Sequence, residues 1–131
     1  MCSSDLVGTN GQVLTADSTA TAGVAWATPY SNTISFNAQT GTTYTLVSGD
    51  VNKLVTLSNA SAITLTVPNG VFTSGQQINL QALGVGQVTV ASDGTTTITS
   101  TPGLKLRAQY SAATLICTGT NTFTLIGDIS A

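Results

Sequence analysis

From Thr33 to the end of the chain, apolar and polar residues trade places at every second position. "AITLTVP" sets Ile63, Leu65 and Val67 on one side and Thr64 and Thr66 on the other. "QINLQA" repeats this with Ile78 and Leu80 against Asn79 and Gln81, and "QVTVA" with Val88 and Val90. "YTL" aligns Tyr44 with Leu46, and "LVTL" aligns Val55 with Leu57. "LKLR" sets Leu104 and Leu106 against Lys105 and Arg107. "AATLIC" and "TFTLIG" finish the series with Leu115 and Cys117, then Phe123 and Leu125. A period of two sends alternate side chains to opposite faces of an extended chain, so these are strands with one buried face. No segment sustains a helical period.

Composition agrees. Charged residues make up 6% of the 131 positions, with no His and no Glu, where about a quarter is usual. Lys, Arg and Glu are the residues of exposed helices, whereas the abundant Thr, Val and Ile suit a pleated, half-buried surface. Polarity is carried by Thr, Ser, Asn and Gln.

Between the strands lies turn chemistry: "SGD" at 48–50, "PNG" at 68–70, "TSG" at 73–75, "SDG" at 92–94, "PG" at 102–103 and "TGTN" at 118–121. Each supplies a Gly or Asn that tolerates positive φ. "SDGT" between "VTVA" and "TTITS" reads as a hairpin. Strands spaced about ten residues apart favour an all-β, antiparallel β-sandwich or jelly-roll-like domain over any α/β arrangement. A weak echo relates "TGTTYTLVSGD" at 40–50 to "TGTNTFTLIGD" at 118–128, without establishing a repeat architecture.

The expected organisation has three parts. Residues 1–6 contain "CSSDL", which matches the translation of a common sequencing adapter and is expected to be a non-native leader, so that Cys2 and Asp5 carry no biology. Residues 7–31 form an N-terminal linker or oligomerisation segment. There "GQVLTAD" and "GVAWA" are two short strand-like pieces joined by "STATAG". An isolated pair of strands is marginal in water, so Leu14, Val24 and Trp26 need a partner surface. Residues 32–131 form the β domain. Nothing in the first residues reads as a signal peptide.

Several chemistries are excluded or lack support. Without His or Glu, Ser-His-Asp and Cys-His catalysis and His-based metal sites are out of reach within one chain. Asp50, Asp93 and Asp128 each stand beside Gly in turn sequence and read as turn formers rather than a glycosidase pair. No loop has the oxygen density of a calcium site. "GVGQVTV" at 84–90 lacks the third glycine and the helix of a dinucleotide fingerprint, and reads as a turn before a strand. Neither catalytic residues nor a cofactor or metal are expected. A net charge of −2 gives no footprint for nucleic acid, and no apolar run approaches the ~20 residues that span a bilayer. Cys117 reads as a buried free thiol.

The aromatics divide by phase. Tyr44 and Phe123 fall with the core. Trp26, Tyr30 and Tyr110 are the candidates for subunit contact or for stacking on a glycan. The Thr-x-Thr pairs (64 and 66, 95 and 97, 122 and 124) are too irregularly spaced along the chain for an ice-binding array.

The N-terminal segment resembles a short motif of bacteriophage tail fibres and related virion structural proteins. The matching residues are Gly8-Thr9-Asn10-Gly11-Gln12-Val13-Leu14, Asp17-Ser18 and Gly23-Val24-Ala25-Trp26. "DVNKLVTLSNASAITLTVPNG", "GVGQVTVAS" and "NTFTLIGDI" resemble the C-terminal domain of similar phage proteins. This resemblance implies a non-enzymatic virion surface protein, a tail fibre or a capsid decoration, used in assembly and host attachment. It implies a homotrimer that meets other virion proteins, with a host surface glycan as a further partner, and a virion-surface or extracellular location. The rival reading is a carbohydrate-binding or adhesion module of a bacterial surface protein.

Overall fold

The computed structural model describes residues 8–131, so the leader expected at 1–6, with Cys2 and Asp5, lies outside the described residues. The chain forms two compact units that divide after Thr33. The first holds a hairpin of β1 (Val13–Ala16) and β2 (Val24–Ala27), in which Leu14 lies opposite Trp26 and Ala16 opposite Val24. Gly11 and Gly23 take positive φ at its turns. Asp17 caps the connecting turn by accepting the backbone N–H and hydroxyl of Thr19.

The second unit is all-β, with a single 3-10 turn at Ser48–Asp50 and no α-helix among the described residues. Its strands are β3 (Ser35–Gln39), β4 (Thr43–Thr45), β5 (Lys53–Leu57), β6 (Ile63–Val67), β7 (Gln77–Ala82) and β8 (Val88–Ser92), then β9 (Thr97–Thr99), β10 (Lys105–Leu106), β11 (Ala112–Gly119), β12 (Thr122–Gly127) and β13 (Ile129–Ser130). One sheet has six strands in the order β3-β5-β7-β11-β12-β9, and the other has five in the order β13-β10-β8-β6-β4.

The winding differs from the expected antiparallel sandwich or jelly roll. β3 pairs parallel with β5 and β5 with β7, while β4 pairs parallel with β6 and β6 with β8. Residues 35–45, 53–67 and 77–92 are therefore successive rungs, each giving one strand to each sheet, in a β-solenoid-like stack. Antiparallel pairing enters later, at β7–β11, β11–β12, β8–β10 and β10–β13. The "SDGT" turn is likewise corrected: it does not close a hairpin, because β8 and β9 belong to different sheets. Asp93 holds that turn, so the local chemistry is as expected, but the chain crosses to the opposite sheet. The echoed segments also part company, β4 lying at an edge of the five-stranded sheet and β12 inside the six-stranded one.

The alternating residues build one core. Val55, Leu57, Ile63, Leu65, Val67, Ile78, Leu80, Val88, Val90, Leu115, Cys117, Phe123 and Leu125 are all buried. Phe72 meets Phe123 edge to face at 6.1 Å between ring centroids. Tyr44 and Leu104 are partly buried against this cluster.

The rungs are tied together at their turns. Asn59 donates from Nδ2 to the Thr40 carbonyl at 2.7 Å and accepts the Ser61 N–H at Oδ1 at 2.8 Å. The next turn packs so closely beneath that a Cβ on Gly84 would strike the Asn59 backbone, and one on Gly86 the Ser61 carbonyl. "GVG" is thus the imprint of one rung lying on another. At the β3–β4 edge the inner positions turn polar. Asp50, 1% exposed, accepts Asn37 Nδ2 at 2.7 Å, the Tyr44 hydroxyl at 2.9 Å and the Val47 N–H at 2.9 Å.

Candidate functional site

The outer faces of the two sheets differ in chemistry. On the five-stranded sheet, register stacks Thr43, Thr64 and Thr89 beside Lys105, and Thr45 beside Thr66 and Ala91. The structure thus gathers Thr64 and Thr66 with threonines from other rungs. Thr122 and Thr124 lie on the other sheet, and Thr97 pairs with Thr122 there. Hydroxyls of this kind are well served by water.

The six-stranded sheet presents a different row. Phe36 pairs with Leu54, Leu54 with Asn79, Asn79 with Thr114, and Thr114 with Ile126. These five lie side by side on the outer face, because their neighbours Asn37, Val55, Leu80, Leu115 and Leu125 point inward. Phe36 is 68% exposed, Ile126 51% and Ile34 46%. The next row reads Ala38, Thr56, Gln81 and Ala112. No Asp, Lys or Arg occurs in either row.

A groove of about 540 Å³ runs along this face, lined by Ile34, Leu54, Asn79, Thr114 and Ile126. It exists because Ala112, Ala113 and Gly127 leave its floor without large side chains. Gly127 has φ of 142°, and a Cβ there would meet the Ala112 carbonyl at 2.6 Å. Within the groove, Thr114 donates its hydroxyl to Asn79 Oδ1 at 2.9 Å.

Asp50 and Asp93 do not line the groove, Asp128 follows its lining residue Gly127, and each is bound to structural donors. Asp93 accepts the Thr95 N–H and hydroxyl and the Asn69 N–H. These bonds, led by the Thr95 N–H, hold its carboxyl down at about 2. Asp128 pairs with Arg107 and accepts the Ser111 hydroxyl, and the Arg107 hydrogen bond foremost keeps its carboxyl below the usual range. Asp50 closes the polar edge of the core. Among the described residues no three His, Cys, Asp or Glu side chains gather in a way that could hold a metal ion, and no helix is long and apolar enough to cross a membrane.

The aromatic candidates fall in separate settings. Trp26 is half-buried in the hairpin unit, where its Nε1 is covered yet has no hydrogen-bond partner. Tyr30 is 90% exposed beyond the hairpin. In the second unit, Tyr110 is 67% exposed with φ of 67°, and its backbone N–H donates to the Ala82 carbonyl. Sequence reasoning passed over Ile34, Phe36, Leu54 and Ile126. For Leu54 and Ile126 the signal was the apolar doublet, since Leu54-Val55 and Leu125-Ile126 break the two-residue rhythm and force one apolar residue outward, whereas Ile34 and Phe36 alternate with Thr33, Ser35 and Asn37 and carry no such mark.

Comparison with protein-family models, with curated proteins and with solved structures finds no match to this chain.

Proposed function

We propose that this chain is a non-enzymatic structural module of a virus particle, of tail fibre or capsid decoration type, that assembles with copies of itself and serves host attachment. The observation that carries the reading is the hairpin. The segment that resembles the phage motif places Leu14, 52% exposed, opposite Trp26 on a two-stranded sheet. Such a sheet is marginal alone, and gathering three copies about an axis covers both side chains. A homotrimer on the virion surface, beside other virion proteins, is the assembly this favours. The wound second unit, read as β-solenoid-like in place of a jelly roll, suits an exposed particle: parallel rungs cover one another's edges, and sparse charge spares identical neighbours mutual repulsion.

A second reading, the adhesion module of a bacterial surface protein, draws on Tyr30 and Tyr110, whose exposed rings suit stacking on sugars. Immunoelectron microscopy with an antibody against residues 34–131 separates the two. Label on virus particles from the source supports the virion reading. Label on bacterial envelopes with none on particles overturns it in favour of adhesion.

A further inference from the structure

We propose that Asn10 is a site of spontaneous covalent modification, at which Asn10-Gly11 closes to a succinimide and reopens as aspartate or isoaspartate, while the fold protects the identical dipeptide Asn69-Gly70. The inference goes beyond the virion reading and does not depend on it.

The chemistry needs only the chain and water. The Gly11 nitrogen attacks Asn10 Cγ, and this C–N bond forms as the Cγ–Nδ2 bond breaks. Nδ2 leaves as ammonia, carrying away the proton that the Gly11 nitrogen gives up. Water then adds to one of the two imide carbonyls. Opening at Cγ leaves aspartate. Opening at the Asn10 main-chain carbonyl leaves isoaspartate, with the peptide now running through the side chain. Glycine in the second position favours closure, because no Cβ obstructs the approaching nitrogen.

Asn-Gly occurs twice in the chain, and the two copies are alike in most respects. Both are exposed, both glycines take positive φ (89° at Gly11, 68° at Gly70), and a Cβ on either would meet nothing within 4 Å. They differ in what holds them. In the turn at 9–12, the Gln12 N–H donates to the Thr9 carbonyl at 3.1 Å and the Thr9 N–H to Gln12 Oε1 at 2.8 Å. These bonds fasten the ends of the turn and leave its central peptide alone. Neither the Asn10 side-chain amide nor the Gly11 N–H has a partner among the described residues.

At the second copy every reacting group is taken. Asn69 Nδ2 donates to Thr95 Oγ1 at 2.8 Å, the Asn69 N–H to Asp93 Oδ2 at 2.7 Å, and the Gly70 N–H to Asn121 Oδ1 at 2.8 Å. The attacking nitrogen and the leaving amide are thus held by different residues, and closure waits on local opening. Breaking both bonds first slows the reaction tenfold or more.

The modified position lies at the entry to the hairpin. Gly8 packs so near the Trp26 ring that a Cβ would meet Cδ2 at 2.6 Å. Isoaspartate places an extra main-chain carbon between that contact and β1, and either product adds a negative charge to a chain of net charge −2.

The test is peptide mass spectrometry on the full chain aged in warm, mildly alkaline buffer, with and without guanidinium. In the native protein Asn10 is expected to convert from amide to acid at least tenfold faster than Asn69, with isoaspartate among its products by electron-transfer fragmentation. In guanidinium the two rates are expected to converge. Asn121→Gly, which suits the φ of 52° there and frees the Gly70 N–H, is expected to speed Asn69 severalfold. Thr95→Val gives the same readout should that variant fail to fold. Asn10 left intact in the native protein while it converts in guanidinium overturns the proposal. So do equal native rates at the two sites, rates that stay apart in guanidinium, or an Asn69 indifferent to both substitutions.

Discussion

Gly86 lies against Ser61 so closely that no side-chain carbon fits between them. Its N–H donates to the Asn59 carbonyl at 2.9 Å, so the third rung hangs from the second at this point. The glycine is there for want of space, since its φ is not in the left-handed region.

Gly86→Ala is therefore expected to lower the unfolding free energy by about 1–3 kcal/mol, as overpacking against fixed backbone does. In a domain of this size each kcal/mol lowers Tm by about 4–8 °C. Gly49, with nothing within 4 Å of a built Cβ and an ordinary φ, is the control: Gly49→Ala should stay within about 0.5 kcal/mol of wild type. Urea unfolding of both variants decides it.

Asp50 is the second target. Its carboxylate satisfies Asn37 Nδ2, the Tyr44 hydroxyl and the Val47 N–H. Asp50→Ala leaves these donors unanswered and should cost about 3 kcal/mol, and Tyr44→Phe about 1 kcal/mol. Tyr44 itself titrates above the ordinary phenol value of 10.0, first because burial disfavours its anion and then because Asp50 accepts its proton. A raised pKa means the contribution is complete below the unfolded value and fades as pH climbs through the folded one. Tyrosinate absorbance should show a late-titrating component that Tyr44→Phe removes.

Asp93 makes the acid prediction. Its folded pKa lies at about 2 against an ordinary 3.8, held down by the Thr95 N–H and hydroxyl and the Asn69 N–H. A depressed carboxyl stabilises the fold above its unfolded pKa and ceases to do so as pH falls through the folded value. Stability should therefore decline between about pH 4 and pH 2, and Asp93→Asn should flatten that part of the profile. Denaturant midpoints measured across this window provide the check.

Cys117 is buried and free, with Sγ donating to the Gly119 carbonyl at 3.2 Å. Covered by Phe123 and its neighbours in the core, its thiol should resist an aromatic disulfide reagent in the native protein and react once urea unfolds the chain. Rapid labelling of Cys117 without denaturant, read by peptide mass spectrometry, would contradict this placement.

These residues also mark what was legible beforehand. The two-residue rhythm located β5, β6, β7, β8, β11 and β12 and assigned their inward residues, because burial of one face is written in each strand separately. Pairing partners are not written there: Leu65 looks the same whether its neighbour runs parallel or antiparallel. Only the rung-to-rung contact distinguishes them, and its local trace was "GVG", which fits many turns. β3 was missed for another reason. At the open edge its inner positions are Ser35, Asn37 and Gln39 while Phe36 faces out, which inverts the usual sorting by polarity. Of the aromatic candidates named from sequence, Trp26 and Tyr30 belong to the first unit and Tyr110 to a turn of the second, whereas the apolar groove is assembled from residues as far apart in the chain as Ile34 and Ile126.

The polar lining at β3 and β4 has a consequence for growth. An exposed parallel edge invites another chain to add strands without end. Here any newcomer would have to lay its own apolar layer over the inward-facing amides of Asn37 and Gln39, which is a poor match. The stack therefore has a terminus that resists templated, amyloid-like extension.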